Sequence, residues 1–227
     1  MAPDVLARPD AHVLGLVGAG RLAIEHVHAL REVRAIDTVH VWSRSAGTLR
    51  AFRHAVDGYL DVVESAGPRQ VTEAADILCT LAPARHPVVS GEWFRPGLHV
   101  NAVRAPPHLD HREIDATGMA RATVVVDSTA TQLVKSGEAL MSIAEGATLP
   151  QTLGRELGAV IAGTTPGRQL PSDITLFNSV GIALEDLAYP ALAIDHARTT
   201  APGSPERTPV STGHLPTGPR LPADVAP

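Results

Sequence analysis

Gly18, Gly20 and Ala23, in the run Gly18-Ala19-Gly20-Arg21-Leu22-Ala23, have the types and spacing of a phosphate-holding turn. Gly18 can adopt the backbone angles that a tight strand-to-helix turn requires. Gly20, with no side chain, lets a pyrophosphate approach the backbone. Ala23 is small enough for the next helix to pack on the preceding strand. Arg21 and Leu22 open that helix, whose free N–H groups and positive dipole end would face the phosphates. The context suits this chemistry. Val13 to Val17 reads as a short apolar strand, Ile24 to Leu30 continues the helix, and a second strand, Thr38 to Trp42, follows at βαβ distance. The competing reading is a tight turn that binds nothing.

The end of the second strand selects the cofactor. A site for NAD(H) usually places Asp or Glu there to hold the ribose 2′-hydroxyl. This chain has Ser43-Arg44-Ser45 instead. Arg44 offers a forked, charged donor to a 2′-phosphate, and both serines can add hydrogen bonds. The expected cofactor is therefore NADP(H) rather than NAD(H). The alternative is a solvated surface arginine.

Other reactive types carry less. His26 and His28 are two apart on a helix and face different ways. His108 and His111 with Asp110 approach a ligand set, but in a loop with no fourth ligand in view, so no metal site is expected. Cys79 lies inside a buried strand and reads as inert core. There is no Gly-x-Ser-x-Gly elbow and no HExxH helix, which leaves a hydrolase without support.

The elements that must position these residues alternate. Helical patterns over Ala46 to Val56, Gln70 to Ala75, Glu113 to Ala120 and Thr152 to Ala162 intervene between strands at Leu60 to Val63, Ile77 to Leu81, Leu98 to Val103, Thr123 to Asp127 and Ile174 to Phe177. That alternation predicts an α/β fold, a Rossmann-type doubly wound, mostly parallel sheet with helices on both faces. A long helix, Val180 to Arg198, follows. Residues 201–227 hold seven prolines and three glycines without apolar period, which predicts a disordered tail. The expected division is 1–12, a helix end and linker; 13–198, the nucleotide-binding domain; and 199–227, the tail. A formal net charge of -5 without a Lys/Arg run argues against nucleic acid or an anionic membrane as partner. A single cysteine and no long apolar run fit a cytoplasmic protein.

Val13 to Ala23, Val41 to Arg44, Gly91 to Val103, Val124 to Ser128 and Asp173 to Ala188, in this order, resemble the ornithine cyclodeaminase / mu-crystallin family over about residues 5 to 198. The last block is the most specific, since it is no general feature of nucleotide-binding folds. The resemblance implies NAD(H) or NADP(H) and hydride transfer at the α-carbon of an amino acid or cyclic imine. It places Gly18, Ala19 and Gly20 at the pyrophosphate and Ser43, Arg44 and Ser45 at the adenosine end. Thr80 and Leu81 would line the groove, and Val103 and Ser179 would lie toward the nicotinamide.

Two departures from the family stand out. An N-terminal half that supplies substrate-binding Arg and Lys and most of a dimer interface is not matched, and Val5 to Asp10 resembles the join where it would end. The implied partner is a small amino-acid or imine substrate, with a second copy or a separate N-terminal half completing the assembly. The aspartate that acts as acid/base in the cyclodeaminase falls, by the resemblance, on Pro106, which cannot titrate, and Asp110 is the nearest carboxylate. These departures leave a second reading open, a nucleotide binder without catalysis.

Overall fold

Short runs of four or five residues, mostly apolar and buried, become strands. The computed structural model describes residues 2–58, 60–103 and 108–200, the side chains of 184–186 and 200 apart. Seven parallel strands form one sheet: β1 (Val13–Val17), β2 (Thr38–Trp42), β3 (Asp61–Glu64), β4 (Ile77–Thr80), β5 (His99–Ala102), β6 (Thr123–Val126) and β7 (Thr175–Asn178). Their order is β3-β2-β1-β4-β5-β7-β6, so the winding reverses between β1 and β4. In open sheets of this kind, ligands bind beyond the carboxyl ends of the strands at that reversal.

The helices are α1 (Ala2–Leu6), α2 (Arg21–Arg31), α3 (Ala46–Ala55), α4 (Pro68–Ala74), α5 (Ala116–Arg121), α6 (Thr129–Lys135), α7 (Gly137–Ala144), α8 (Leu157–Ile161) and α9 (Ala183–Thr200). One face of the sheet packs Leu14, Leu16, Val39, Val41 and Ile77 against Ala23, Val27 and Leu30 of α2 and Phe52 of α3. The other packs Val17, Leu78, Val100, Val126 and Leu176 against Val71 of α4, Met119 of α5 and Ala139 of α7. Both faces are thus covered, as the near-continuous apolar strands require. Residues up to Ala183 form one compact unit, and those from Leu184 belong to a second.

Three expectations change. The helix expected from Glu113 begins only at Ala116, because the Asp115 carboxylate accepts the Gly118 N–H and caps it there. Over Thr152 to Ala162, a 3-10 turn, Pro150–Leu153, and the short α8 are separated at Gly154. The long helix starts at Ala183 rather than Val180, after Gly181 at φ +78°. The stretch from Thr129 to Ala144, to which the sequence patterns assign no element, holds α6 and α7, capped by Ser128 and Ser136. The predicted tail lies outside the described residues from 201 onward. Among the described residues, no helix is long and apolar enough to cross a membrane.

At the amino ends of the strands, Arg168 ties α1 to the sheet. Its Nε donates to Leu6 O at 2.7 Å and its Nη2 to Thr175 Oγ1 at 3.0 Å. Thr175 also accepts or donates toward His99 Nδ1 at 2.9 Å, and His99 Nε2 meets Asn101 Oδ1 at 3.2 Å. A cavity of about 510 Å³ at this end is lined by Asp4, Arg8, Arg34 and Arg168. Arg34 and Arg168 direct their donors to backbone carbonyls and neighbouring side chains, so this cavity reads as a structural bracket.

Candidate nucleotide-binding site

The residues singled out from the sequence fall at the carboxyl ends of neighbouring strands. In spatial order they are Ser43 to Ser45 after β2, Gly18 to Leu22 after β1, Thr80 and Leu81 at β4, Val103 after β5 and Ser179 after β7. With strands ~4.8 Å apart, the row is about 19 Å long.

The turn after β1 is built for close approach. Gly18 has φ +116°, a region that side chains avoid. Its N–H donates to Trp42 O at 2.8 Å, while Leu81 N donates to Val17 O at 2.9 Å, so β2 and β4 flank the turn. Gly20 faces open space, and the N-terminus of α2 has no side-chain cap. Ala19 is buried; Arg21 and Leu22 are exposed, and Arg21 lies 3.6 Å from Glu25. The first N–H groups of α2 therefore face outward beside the most permissive backbone in the turn.

At the end of β2 the two serines serve α3. Ser45 Oγ accepts the Thr48 N–H at 3.3 Å, and Ser43 Oγ accepts the Ser45 N–H at 3.3 Å. Arg44 is exposed. No carboxylate stands beside it in Ser43-Arg44-Ser45, so the cationic group is available to an anion.

Thr80 differs from expectation in one respect. Its side chain has no exposed surface, and its hydroxyl donates to Glu113 Oε2 at 3.0 Å. Thr80 as a whole is buried between β1 and β5, so of the two residues expected at the groove it is not one that a ligand can touch. Glu113 Oε1 accepts the Ala82 N–H at 2.9 Å, and the Glu113 N–H donates to Glu138 Oε1 at 2.9 Å. This pair of buried acids holds the exit of β4 from the far half of the sheet. Sequence reasoning missed it; a lone carboxylate in the apolar run Gly137-Glu138-Ala139-Leu140-Met141 was the available signal. Burial raises the pKa of Glu138.

Val103 is half-buried, and Ser179 N donates to Ala102 O at 3.1 Å. Pro106 lies outside the described residues. Asp110 accepts from or pairs with His111 Nδ1 at 2.9 Å, and the His108 and His111 rings lie 5.1 Å apart. Among the described residues, no three His, Cys, Asp or Glu groups meet as metal ligands would. Cys79 is buried, with its thiol pushed up to about 12 by desolvation.

The sheet order and the glycine turn at its reversal define a Rossmann-type nucleotide-binding fold. Within that class the chain belongs to the ornithine cyclodeaminase/mu-crystallin family, whose model matches residues 1–201. It is 34% identical over 195 residues to mouse ketimine reductase mu-crystallin, covering 86% of this chain and 58% of that protein. The structure of Thermococcus litoralis Delta(1)-pyrroline-2-carboxylate reductase, in complex with NADH and L-proline, matches with TM-score 0.80 and 36% identity, over 86% of this chain and 61% of that one. An archaeal alanine dehydrogenase dimer with bound NAD matches with TM-score 0.80 and 28% identity, over 87% and 61%. The chain spans about three-fifths of the length of these relatives.

Proposed function

We propose that this chain is the nucleotide-binding part of an NAD(P)-dependent oxidoreductase acting at the α-carbon of an amino acid or cyclic imine. The observation that carries the reading is the turn at Gly18, held at φ +116° between β2 and β4 with an uncapped helix behind it. The residues present fit a dinucleotide. Gly18, Ala19 and Gly20 let the pyrophosphate approach, and the N–H groups of Arg21 and Leu22 hold it. Ser43, Arg44 and Ser45 take the adenosine end, where a guanidinium without a carboxylate favours NADP(H) over NAD(H). Leu81 lines the groove at the end of β4, where Thr80 itself is buried. Val103 and Ser179 bound its nicotinamide end. The bound nicotinamide supplies or accepts the hydride.

NADPH fluorescence titration of the chain tests the binding half, and loss of NADPH absorbance with amino acids and cyclic imines tests the chemical half. Saturable binding supports the reading; no binding of either nucleotide overturns it. A second reading, binding without turnover, is favoured by Pro106, which the resemblance aligns with the acid/base aspartate of the cyclodeaminase. Binding with no turnover of ornithine by this chain is the expected outcome. Turnover that Asp110→Asn abolished would make the loop carboxylate the replacement. We further propose that the chain self-associates, since Leu187, Tyr189, Leu192 and Ile194 of α9 are exposed. A monomer in light scattering at high concentration would count against this.

A further inference from the structure

The row of strand ends closes at β7 on a carboxylate that the reading above does not use. Asp127 follows β6 directly. Its Oδ2 accepts from Ser179 Oγ at 2.9 Å, Val180 N at 3.0 Å and Gly181 N at 2.8 Å. Its Oδ1 accepts from Ser128 N at 2.8 Å and Gln132 Nε2 at 3.3 Å. The carboxylate thus gathers the turn after β7 and fixes the direction of the Ser179 hydroxyl.

A hydroxyl has one proton to give. That of Ser179 goes to Asp127, so toward any other group Ser179 Oγ can only accept. Gly181 N uses one acceptor site at 3.2 Å, and the other remains. The main chain holds this oxygen in place, because Ser179 N stays in register with Ala102 O at 3.1 Å.

We infer that Asp127 makes Ser179 an obligate acceptor, so that this end of the groove takes a pyridine ring bearing a carboxamide and rejects one bearing a carboxylate. The inference rests on the nucleotide reading above. A carboxamide can donate an N–H to Ser179 Oγ. A carboxylate brings only lone pairs and a negative charge to a hydroxyl already backed by Asp127. Facing two acceptors without a proton between them discriminates more strongly than losing an apolar contact. Asp127 acts through Ser179 and is a positioning residue.

Equilibrium titration of the full chain with NADP⁺, nicotinic acid adenine dinucleotide phosphate and 2′,5′-ADP tests this. The two dinucleotides differ only in the amide, and 2′,5′-ADP reports the adenosine end alone. The unaltered chain should bind NADP⁺ at least about tenfold more tightly than the acid analogue. Ser179→Ala should bring that ratio to within about threefold while leaving 2′,5′-ADP unchanged. Asp127→Ala should do the same, since it removes the acceptor of the serine proton and frees that proton for a ligand. If Asp127→Ala fails to fold, Ser179→Ala decides. Equal affinity for both dinucleotides in the unaltered chain overturns the inference and leaves the nucleotide reading standing. Failure of 2′,5′-ADP and both dinucleotides to bind overturns that reading, and the inference with it.

Discussion

A methyl group added to Gly18 would lie 3.0 Å from the carbonyl oxygen of Leu81, whereas one added to Gly20 would meet nothing within 4 Å. Gly18 also has φ +116°, while Gly20 has φ -76°. The two glycines therefore fail differently. Gly18→Ala should lower stability by about 1–3 kcal/mol through backbone strain. Gly20→Ala should leave thermal denaturation nearly unchanged and weaken NADPH binding by about tenfold or more, by crowding the space a pyrophosphate would use. Denaturation and titration of both variants check this. Equal destabilisation by the two would show that Gly20, too, is there for the fold.

Arg44 is exposed, between Ser45, which caps α3, and Ser43, whose hydroxyl accepts the Ser45 N–H. Arg44→Ala should weaken NADPH by about 1–3 kcal/mol and scarcely change NADH. Competitive titration of the two nucleotides reads this directly. Coincident curves for both in the unmutated chain would remove Arg44 as the selector.

Glu138 is 1% exposed, and burial lifts its pKa above the ordinary 4.5. The folded state holds its proton more tightly than the unfolded state does. The stabilisation linked to that proton is complete below about pH 4.5 and is lost as pH rises through the raised value. Glu138→Gln should flatten this decline. Urea denaturation at about pH 5 and about pH 8 measures it. The same pH slope in both proteins would assign the titration to another group.

His99 behaves with the opposite sign. Burial, before any other cause, drives its pKa down from 6.5 to about 3, and the Arg168 charge adds to that. The neutral ring is stabilised above pH 6.5, and that contribution is lost as pH falls from 6.5 toward about 3. The ring resonances of His99 should stay flat in NMR between about pH 7.5 and about pH 5, where an exposed histidine titrates. A midpoint near 6.5 would mean that water reaches the ring.

How legible the site was depended on how local its causes are. The turn Gly18 to Ala23 and the serines and arginine after β2 are contiguous, and their neighbours announce the strand and helix that hold them. Thr80 looked the same in sequence as a residue facing a ligand. Its hydroxyl belongs instead to Glu113, 33 residues on, a contact no periodicity encodes. Glu113 reads as a helix residue, yet Asp115 caps α5 just after it. Helices α6 and α7 were obscured because Ser136 ends one and caps the other, leaving each too short to show an apolar period. The position of β7 was likewise invisible, since an apolar four-residue strand carries no address.

That position has a consequence for the order of events in synthesis. Among the described residues, β6 finds its only sheet neighbour in β7, and β5 is joined to β6 through β7 alone. Residues 123–126 leave the ribosome about fifty residues before the strand that will pair with them. At about 5–20 residues per second, this leaves β6 waiting several seconds without its lattice partner, while β1 to β5 can already have zipped together. During that interval the nascent chain carries two open edges, at β5 and β6, that accept the same incoming strand. β7 is thus the keystone of the sheet, arriving last and locking both sides at once.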